Sequence, residues 1–363
     1  MIAQRKDDHV RLAVEQQQQH SGRNQFDEVA FVHHALAGLD RPDVSLATAF
    51  AGISWQAPLY INAMTGGSER TGRINRDLAI AARETGVALA SGSMSAYFKD
   101  PDCAETFSVL RKENPDGFVI ANVNATASVD KARRAVDLIQ ADALQIHINT
   151  VQETVMPEGD RSFSSWAPQI GRIAAGVDVP VIVKEVGFGL SRETVRLLEG
   201  LGVRIADLGG RGGTDFARIE NGRRRLGDYA YLTGWGQSTA ACLLDAQDAP
   251  LPVLASGGVR HPLDVARALA LGASGVGASG TFLRTLLDEG VSALVERIAV
   301  WLDQLTALLT MLGARTPAEL THCDLLITGE LRGFCADRGI DPGPFARRSG
   351  NLDFPNDMTG NTR

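Results

Sequence analysis

Eight times from Leu59 onward the chain repeats one theme: a short apolar run ends in small or polar residues and is followed by a longer segment of helical periodicity. The runs are LYINAM from Leu59, ALASGS from Ala88, FVIANV from Phe118, ALQIHIN from Ala143, VPVIVKEV from Val179, VRIADLGG from Val203, PVLASGG from Pro252 and GASGVGASG from Gly272. Strands apolar on both faces need cover on both sides, and parallel strands joined by crossover helices provide it. In SVDKARRAVDLIQ, Val129, Ala132, Val136 and Ile139 fall at three- and four-residue steps, which predicts one such helix. Eight units predict an α/β fold closed into a single (β/α)8 TIM barrel, with an open doubly wound sheet as the alternative.

The length, 363 residues with 44% hydrophobic content, suits one large barrel domain over residues 59–313. Residues 1–58, with glutamines at Gln16–Gln19 and the segment FVHHALAGLD, are expected to form an arm packing on the barrel. Phe282–Leu312 is apolar at helical spacing and should supply the last barrel helices. Residues 314–346 are expected as a C-terminal helical extension, and 347–363, polar and Gly-rich, as a disordered tail. The long stretch Arg211–Leu251 has room for an extra helix or a lid.

A net charge of −7 and the absence of a Lys/Arg stripe argue against nucleic acid as a partner, and Arg223, Arg224 and Arg225 read as a solvated helix face. No signal-peptide layout and no membrane-length apolar run are seen, so a cytoplasmic protein with no membrane partner is expected. Cys103, Cys242, Cys323 and Cys335 form no CxxC pair, which predicts reduced, structural thiols.

A barrel of this kind builds its site at the C-terminal ends of its strands. Those ends read Asn62, Met64, Thr65, Gly66 and Gly67; Ser91 and Ser93; Asn122 and Asn124; His147, Asn149, Gln152 and Glu153; Lys184 and Glu185; Gly212, Gly213 and Thr214; Ser256 to Arg260; Ala278 and Ser279. Polar groups on all eight ends imply a large polar ligand. SGGVR and GASG, with Arg260 and a helix start at His261-Pro262-Leu263-Asp264, point to phosphate.

Lys184 inside a barrel mouth needs a negative partner. An anionic reduced flavin, a Schiff base and a surface-snorkelling lysine all remain open for it. His147, Asn149, Gln152, Glu153 and Glu158 have the wrong spacing for zinc and suit a magnesium site shared with phosphates, or a solvated rim. Arg5, Lys6 and His9 could fold over an anionic substrate or simply begin a solvated helix.

These motifs, in order, resemble the type 2, FMN-dependent isopentenyl-diphosphate isomerases, above all the actinobacterial ones. The resemblance runs through RKDDH, FVHHAL, INAMTGG, ASGS, ANVNA, QIHIN with QE, MPEGDRSF, VIVKEVGFG, GRGGTDFARIEN, WGQST, SGGVR and LITGELR. It implies interconversion of isopentenyl and dimethylallyl diphosphate by a proton shift, with FMN in its reduced form, Mg²⁺, and NADPH as reductant. It further implies FMN contacts from Ala63, Met64, Thr65, Gly66, Ser93, Asn122, Lys184, Thr214, Gly258, Val259, Arg260, Ala278 and Ser279. Substrate contacts would come from Arg5, Lys6, Ser93, Met94, Ser95, His147, Asn149 and Gln152, and Glu153 would bind the metal. Lys184, Gln152, His147 and Asn149 carry the chemistry on this reading, in a homo-oligomer, tetramer or octamer.

Gly209 stands where many members have Ser, and Gln237-Ser238 where many have Ile-Pro. The alternative is an FMN-dependent TIM-barrel oxidoreductase. A hydroxyacid oxidase should show a His-Gly-x-Arg motif and an inosinate dehydrogenase a strand-end cysteine, and neither is present.

Overall fold

The computed structural model describes residues 11, 12, 16, 24–224 and 226–351. Among them are twelve strands: β1 (Val29–Phe31), β2 (Thr48–Phe50), β3 (Ile53–Trp55), β4 (Leu59–Ile61), β5 (Ala88–Ala90), β6 (Val119–Asn124), β7 (Ala143–Ile148), β8 (Val181–Glu185), β9 (Ile205–Asp207), β10 (Val253–Ser256), β11 (Gly275–Ala278) and β12 (Leu325–Ile327). Strands β4 to β11 pair in sequence order, all parallel, and β11 returns to β4 to close the barrel. Each of the eight apolar runs supplies one barrel strand.

Local chemistry starts the helices. Ser68, Ser128, Ser191 and Ser238 each accept a hydrogen bond from the third backbone N–H of the helix that follows. In the helix Val129–Ile139 the buried face is Ala132, Ala135 and Ile139, with Val129 and Val136 at its half-buried edges. The stretch between β9 and β10 carries two short helices, Phe216–Gly222 and Thr239–Asp245. After β11, helices Gly280–Glu289 and Val291–Leu312 close the ring against Glu69–Thr85.

The floor of the barrel is apolar. Ala88, Ile120, Ala143, Ile182, Ile205 and Leu254 point inward, and the β2–β3 hairpin pushes Phe50, Ile53 and Trp55 up against them from the N-terminal end. Complete burial of an Ile or Leu here contributes about 1.5–3 kcal/mol. The motifs of residues 1–58 do not signal this plug. β1 pairs antiparallel with β12, so the arm and the C-terminal extension share a two-stranded sheet.

Regular structure continues past the boundary expected at residue 347, through a 3-10 turn at Ser349–Asn351. Arg348 donates to the Ala270 carbonyl at 2.8 Å, and Ser349 donates to Asp324 through its backbone N–H at 2.7 Å. Arg223 and Arg224 do not form a solvated face. Arg223 pairs with Glu220 and Glu158, and Arg224 donates to the Val155 carbonyl at 2.6 Å and lies 4.8 Å from the Tyr229 ring centre. Arg225, like Arg5, Lys6 and His9, lies outside the described residues.

Candidate active site

Alternation along the strands puts a polar layer directly above the apolar floor: Tyr60, Asn122, Gln145, Lys184, Asp207 and Ser256. Asp207 is fully buried, and its carboxylate accepts from the Tyr60 hydroxyl at 2.5 Å, the Ser256 hydroxyl at 2.7 Å and the Gln145 amide at 3.4 Å. Burial first, and then the Asp207 charge, hold the Tyr60 hydroxyl well above its ordinary pKa, so it remains a donor. Tyr60 can reach across the barrel because β11 offers no side chain there: a Cβ on Gly277 would stand 2.5 Å from the tyrosine ring.

Above this layer opens a cavity of about 610 Å³, the size of a cofactor site. It is lined by Ala63, Met64, Thr65, Ser93, Ser95, Asn122, His147, Asn149, Gln152, Glu153, Lys184, Thr214, Gly258, Val259, Arg260, Ala278 and Ser279, all of them expected site residues. Two others expected there are elsewhere. Met94 is fully buried in the hydrophobic core, its N–H bonded to the Asn122 carbonyl at 2.9 Å. Gly66 is not among the lining residues, and a Cβ there would strike the Phe107 ring at 2.1 Å, so that glycine serves packing.

Lys184 is buried at the end of β8. Its ammonium donates to the Glu185 carbonyl at 2.6 Å and the Ser256 hydroxyl at 3.4 Å. Across the mouth, His147 Nδ1 lies 2.8 Å from Asn122 Oδ1. The Asn149 amide donates to Gln152 at 3.0 Å and Glu153 at 3.2 Å, and the Gln152 amide donates to Glu220 at 3.0 Å. Glu220 is fully buried and paired with Arg223, a support the strand-end reading missed. Its signal was a carboxylate in the run FARIE, at the helix spacing that buries Ala217. Glu153 faces the cavity, and its second oxygen accepts the Asp160 N–H at 2.8 Å. Among the described residues no three His, Cys, Asp or Glu side chains cluster as a metal site.

Opposite this side-chain half, β9 and β10 present backbone. Gly257 has φ +96°, and a Cβ on it would be 2.0 Å from the Gly210 carbonyl oxygen, so only glycine lets the two loops meet. Gly209 has φ +50°, and a Cβ there would be 1.9 Å from the Glu185 carbonyl oxygen, so the backbone here excludes serine at this position. Ser238, in the other departure from the family pattern, caps the helix Thr239–Asp245. His261 caps Pro262–Ala270, the helix that follows this edge in the chain.

The Arg260 guanidinium is committed to Asp27 at 2.6 Å and Asp264 at 2.8 Å. That hydrogen bond with Arg260 is the main cause holding the Asp27 carboxyl down at about 2. Arg260 thus ties the arm to the glycine edge. Asn24 adds a second tie by donating to the Gly258 carbonyl at 2.6 Å.

Glu185 was grouped with the mouth residues, but it points outward between β8 and the helices. It accepts the Phe188 N–H at 2.5 Å and the Gly189 N–H at 3.1 Å. Burial raises its pKa to about 7.

A parallel barrel with a glycine-lined edge and a lysine in the mouth defines a class, and the profile of the family described as FMN-dependent dehydrogenase matches residues 110–326. A solved mandelate oxidase superposes with a TM-score of 0.60 at 17% identity, covering 88% of this chain and 92% of that one, a likeness of fold alone. Isopentenyl-diphosphate delta-isomerase of Kitasatospora griseola is 76% identical over 99% of both chains, and that of Streptomyces sp. (strain CL190) is 75% identical over 99% of both. The chain belongs to the isopentenyl-diphosphate delta-isomerase family.

Proposed function

We propose that the protein interconverts isopentenyl diphosphate and dimethylallyl diphosphate, using FMN in its reduced form, Mg²⁺, and NADPH as the reductant, in the cytoplasm as a homo-oligomer. The observation that carries this reading is a cavity in which a buried lysine, a histidine–amide cluster and a glycine edge converge, within a chain 76% identical to a named isomerase over 99% of its length. The donor set fits a flavin nucleotide. Gly257, Gly258 and Ser279 would hold its phosphate, and Thr65, Ser93 and Asn122, which line the same cavity, would contact its ring. When bound, reduced FMN would supply the proton-transfer chemistry of the isomerisation.

Lys184 would supply a positive charge to a bound anionic flavin, a lever proteins use to tune flavins. His147, Asn149 and Gln152 orient the diphosphate and exclude water from the reacting carbons. Glu153 would hold Mg²⁺ by one carboxylate, with substrate phosphates completing the shell, which suits a site where the described residues offer no three-ligand cluster. Arg5 and Lys6 would add substrate contacts.

The family's kinship with FMN-dependent dehydrogenases keeps an oxidoreductase as the rival, although none of the four cysteines lines the cavity. Anaerobic incubation of isopentenyl diphosphate with enzyme, FMN, Mg²⁺ and NADPH separates the two. Dimethylallyl diphosphate should form under reduction alone and without stoichiometric NADPH consumption. NADPH consumed one-for-one with product would favour the oxidoreductase.

A further inference from the structure

We infer that Asp207 is a positioning residue whose buried charge sets the direction of two hydrogen-bond branches, one holding Lys184 and the other fixing a proton on Nδ1 of His147. The inference rests on the reading above only for the roles of Lys184 and His147 in turnover.

A carboxylate can only accept. Of the two ends of the Gln145 amide, the NH₂ must therefore face Asp207, as it does at 3.4 Å. Gln145 Oε1 is then left to accept, and it takes the Asn122 amide at 2.7 Å. Asn122 in turn has only Oδ1 to offer the His147 ring, 2.8 Å from Nδ1. An acceptor at that place requires Nδ1 to be the donor, whether the imidazole is neutral or charged. Any proton His147 exchanges in the cavity must then move at Nε2. The relay follows the barrel register, since Asn122 and Gln145 are paired across β6 and β7.

The second branch is shorter. Lys184 and Asp207 are register partners on β8 and β9. The Ser256 hydroxyl spends its proton on Asp207 at 2.7 Å, so only its lone pairs face the Lys184 ammonium at 3.4 Å. Ser256 thus couples the cation to the anion, and Asp207 balances the positive charge presented to the cavity. Tyr60, the third donor, completes the anion's shell from the far wall.

The test reads the proton directly, with no need for turnover. In FMN-loaded enzyme carrying ¹⁵N/¹³C-labelled histidine, the His147 signals are assigned by their loss in His147→Asn. The wild type should hold Nδ1–H across the pH range of folding. Gln145→Leu cuts the first branch and should let Nε2–H become populated while Lys184 is undisturbed. Ser256→Ala cuts the second and should shift the flavin midpoint potential while leaving the His147 tautomer alone. Asp207→Asn should do both, raise the potential through loss of a buried negative charge, and lower kcat about tenfold or more with KM within about twofold.

A wild-type His147 protonated at Nε2 alone, or a tautomer unmoved by Gln145→Leu, would overturn the inference. If Asp207→Asn does not fold, the two single-branch variants decide it. Loss of isomerase activity in the wild type with the tautomer pattern intact would sink the functional reading and leave this one standing.

Discussion

The two halves of the barrel mouth are built on different principles. From β6 to β8 the work is done by side chains: Asn122, His147, Asn149, Gln152 and Lys184 are locked by one another and by buried Asp207 and Glu220. From β9 to β10 it is done by backbone, where Gly209, Gly210, Gly257 and Gly258 bring loops within contact that any Cβ would prevent. Chemistry that must discriminate charge and move protons needs titratable groups held in one orientation. Anion binding needs only exposed N–H groups and room. Substitutions in the first half should therefore change rates and leave the fold intact, and those in the second should change the fold and cofactor retention.

The contrast is sharpest at Lys184. Lys184→Ala should lower kcat by on the order of 10²–10³, the usual loss for one preorganised electrostatic partner. Its thermal midpoint should move by only a few degrees, and an equal loss of stability would break the proposed division.

Glu185, the next residue, is a control because it faces away from the mouth. Its pKa is raised in the fold from 4.5 to about 7, so the stability it contributes is full below 4.5 and is lost as pH rises through about 7. Glu185→Gln should remove a pH-dependent loss on the order of 3 kcal/mol. Unfolding of variant and wild type compared at pH 5 and pH 8 should show the variant gaining only at the higher pH, with turnover little changed.

In the backbone half, Gly257→Ala should cost about 1–3 kcal/mol from the disfavoured φ, and more from the clash with Gly210. FMN should wash out on gel filtration. A variant that kept its yellow colour and its melting point would place the phosphate elsewhere. The smallest effect is expected at Trp235, 58% exposed on the connection between β9 and β10: Trp235→Ala should alter stability by no more than about 0.5 kcal/mol, measured by urea denaturation.

Much of this was legible in the chain. The eight strands were readable because a parallel barrel strand is apolar on both faces, and the mouth residues because each ends such a run. What escaped were residues whose meaning lies across the barrel. Tyr60 and Gln145 sit inside apolar runs and look like ordinary strand residues until β6, β9 and β10 bring Asn122, Asp207 and Ser256 to them. Glu185 was misplaced because alternation sends neighbours to opposite faces. Arg260, expected among the FMN contacts, lines the cavity, but nothing local to SGGVR reveals that Asp27, 233 residues away, pairs with its guanidinium. The plug hairpin turns on Ala51 at φ 49°, a conformation that alanine does not advertise.

The central claim is a proton shift without net oxidation in this cavity. Reduced enzyme should be incubated anaerobically with isopentenyl diphosphate in D₂O and the product examined by NMR. Dimethylallyl diphosphate should carry solvent deuterium in its newly formed methyl group, and no label when deuterium is supplied on NADPH alone. Label arriving from NADPH, or a product free of solvent deuterium, would contradict that claim.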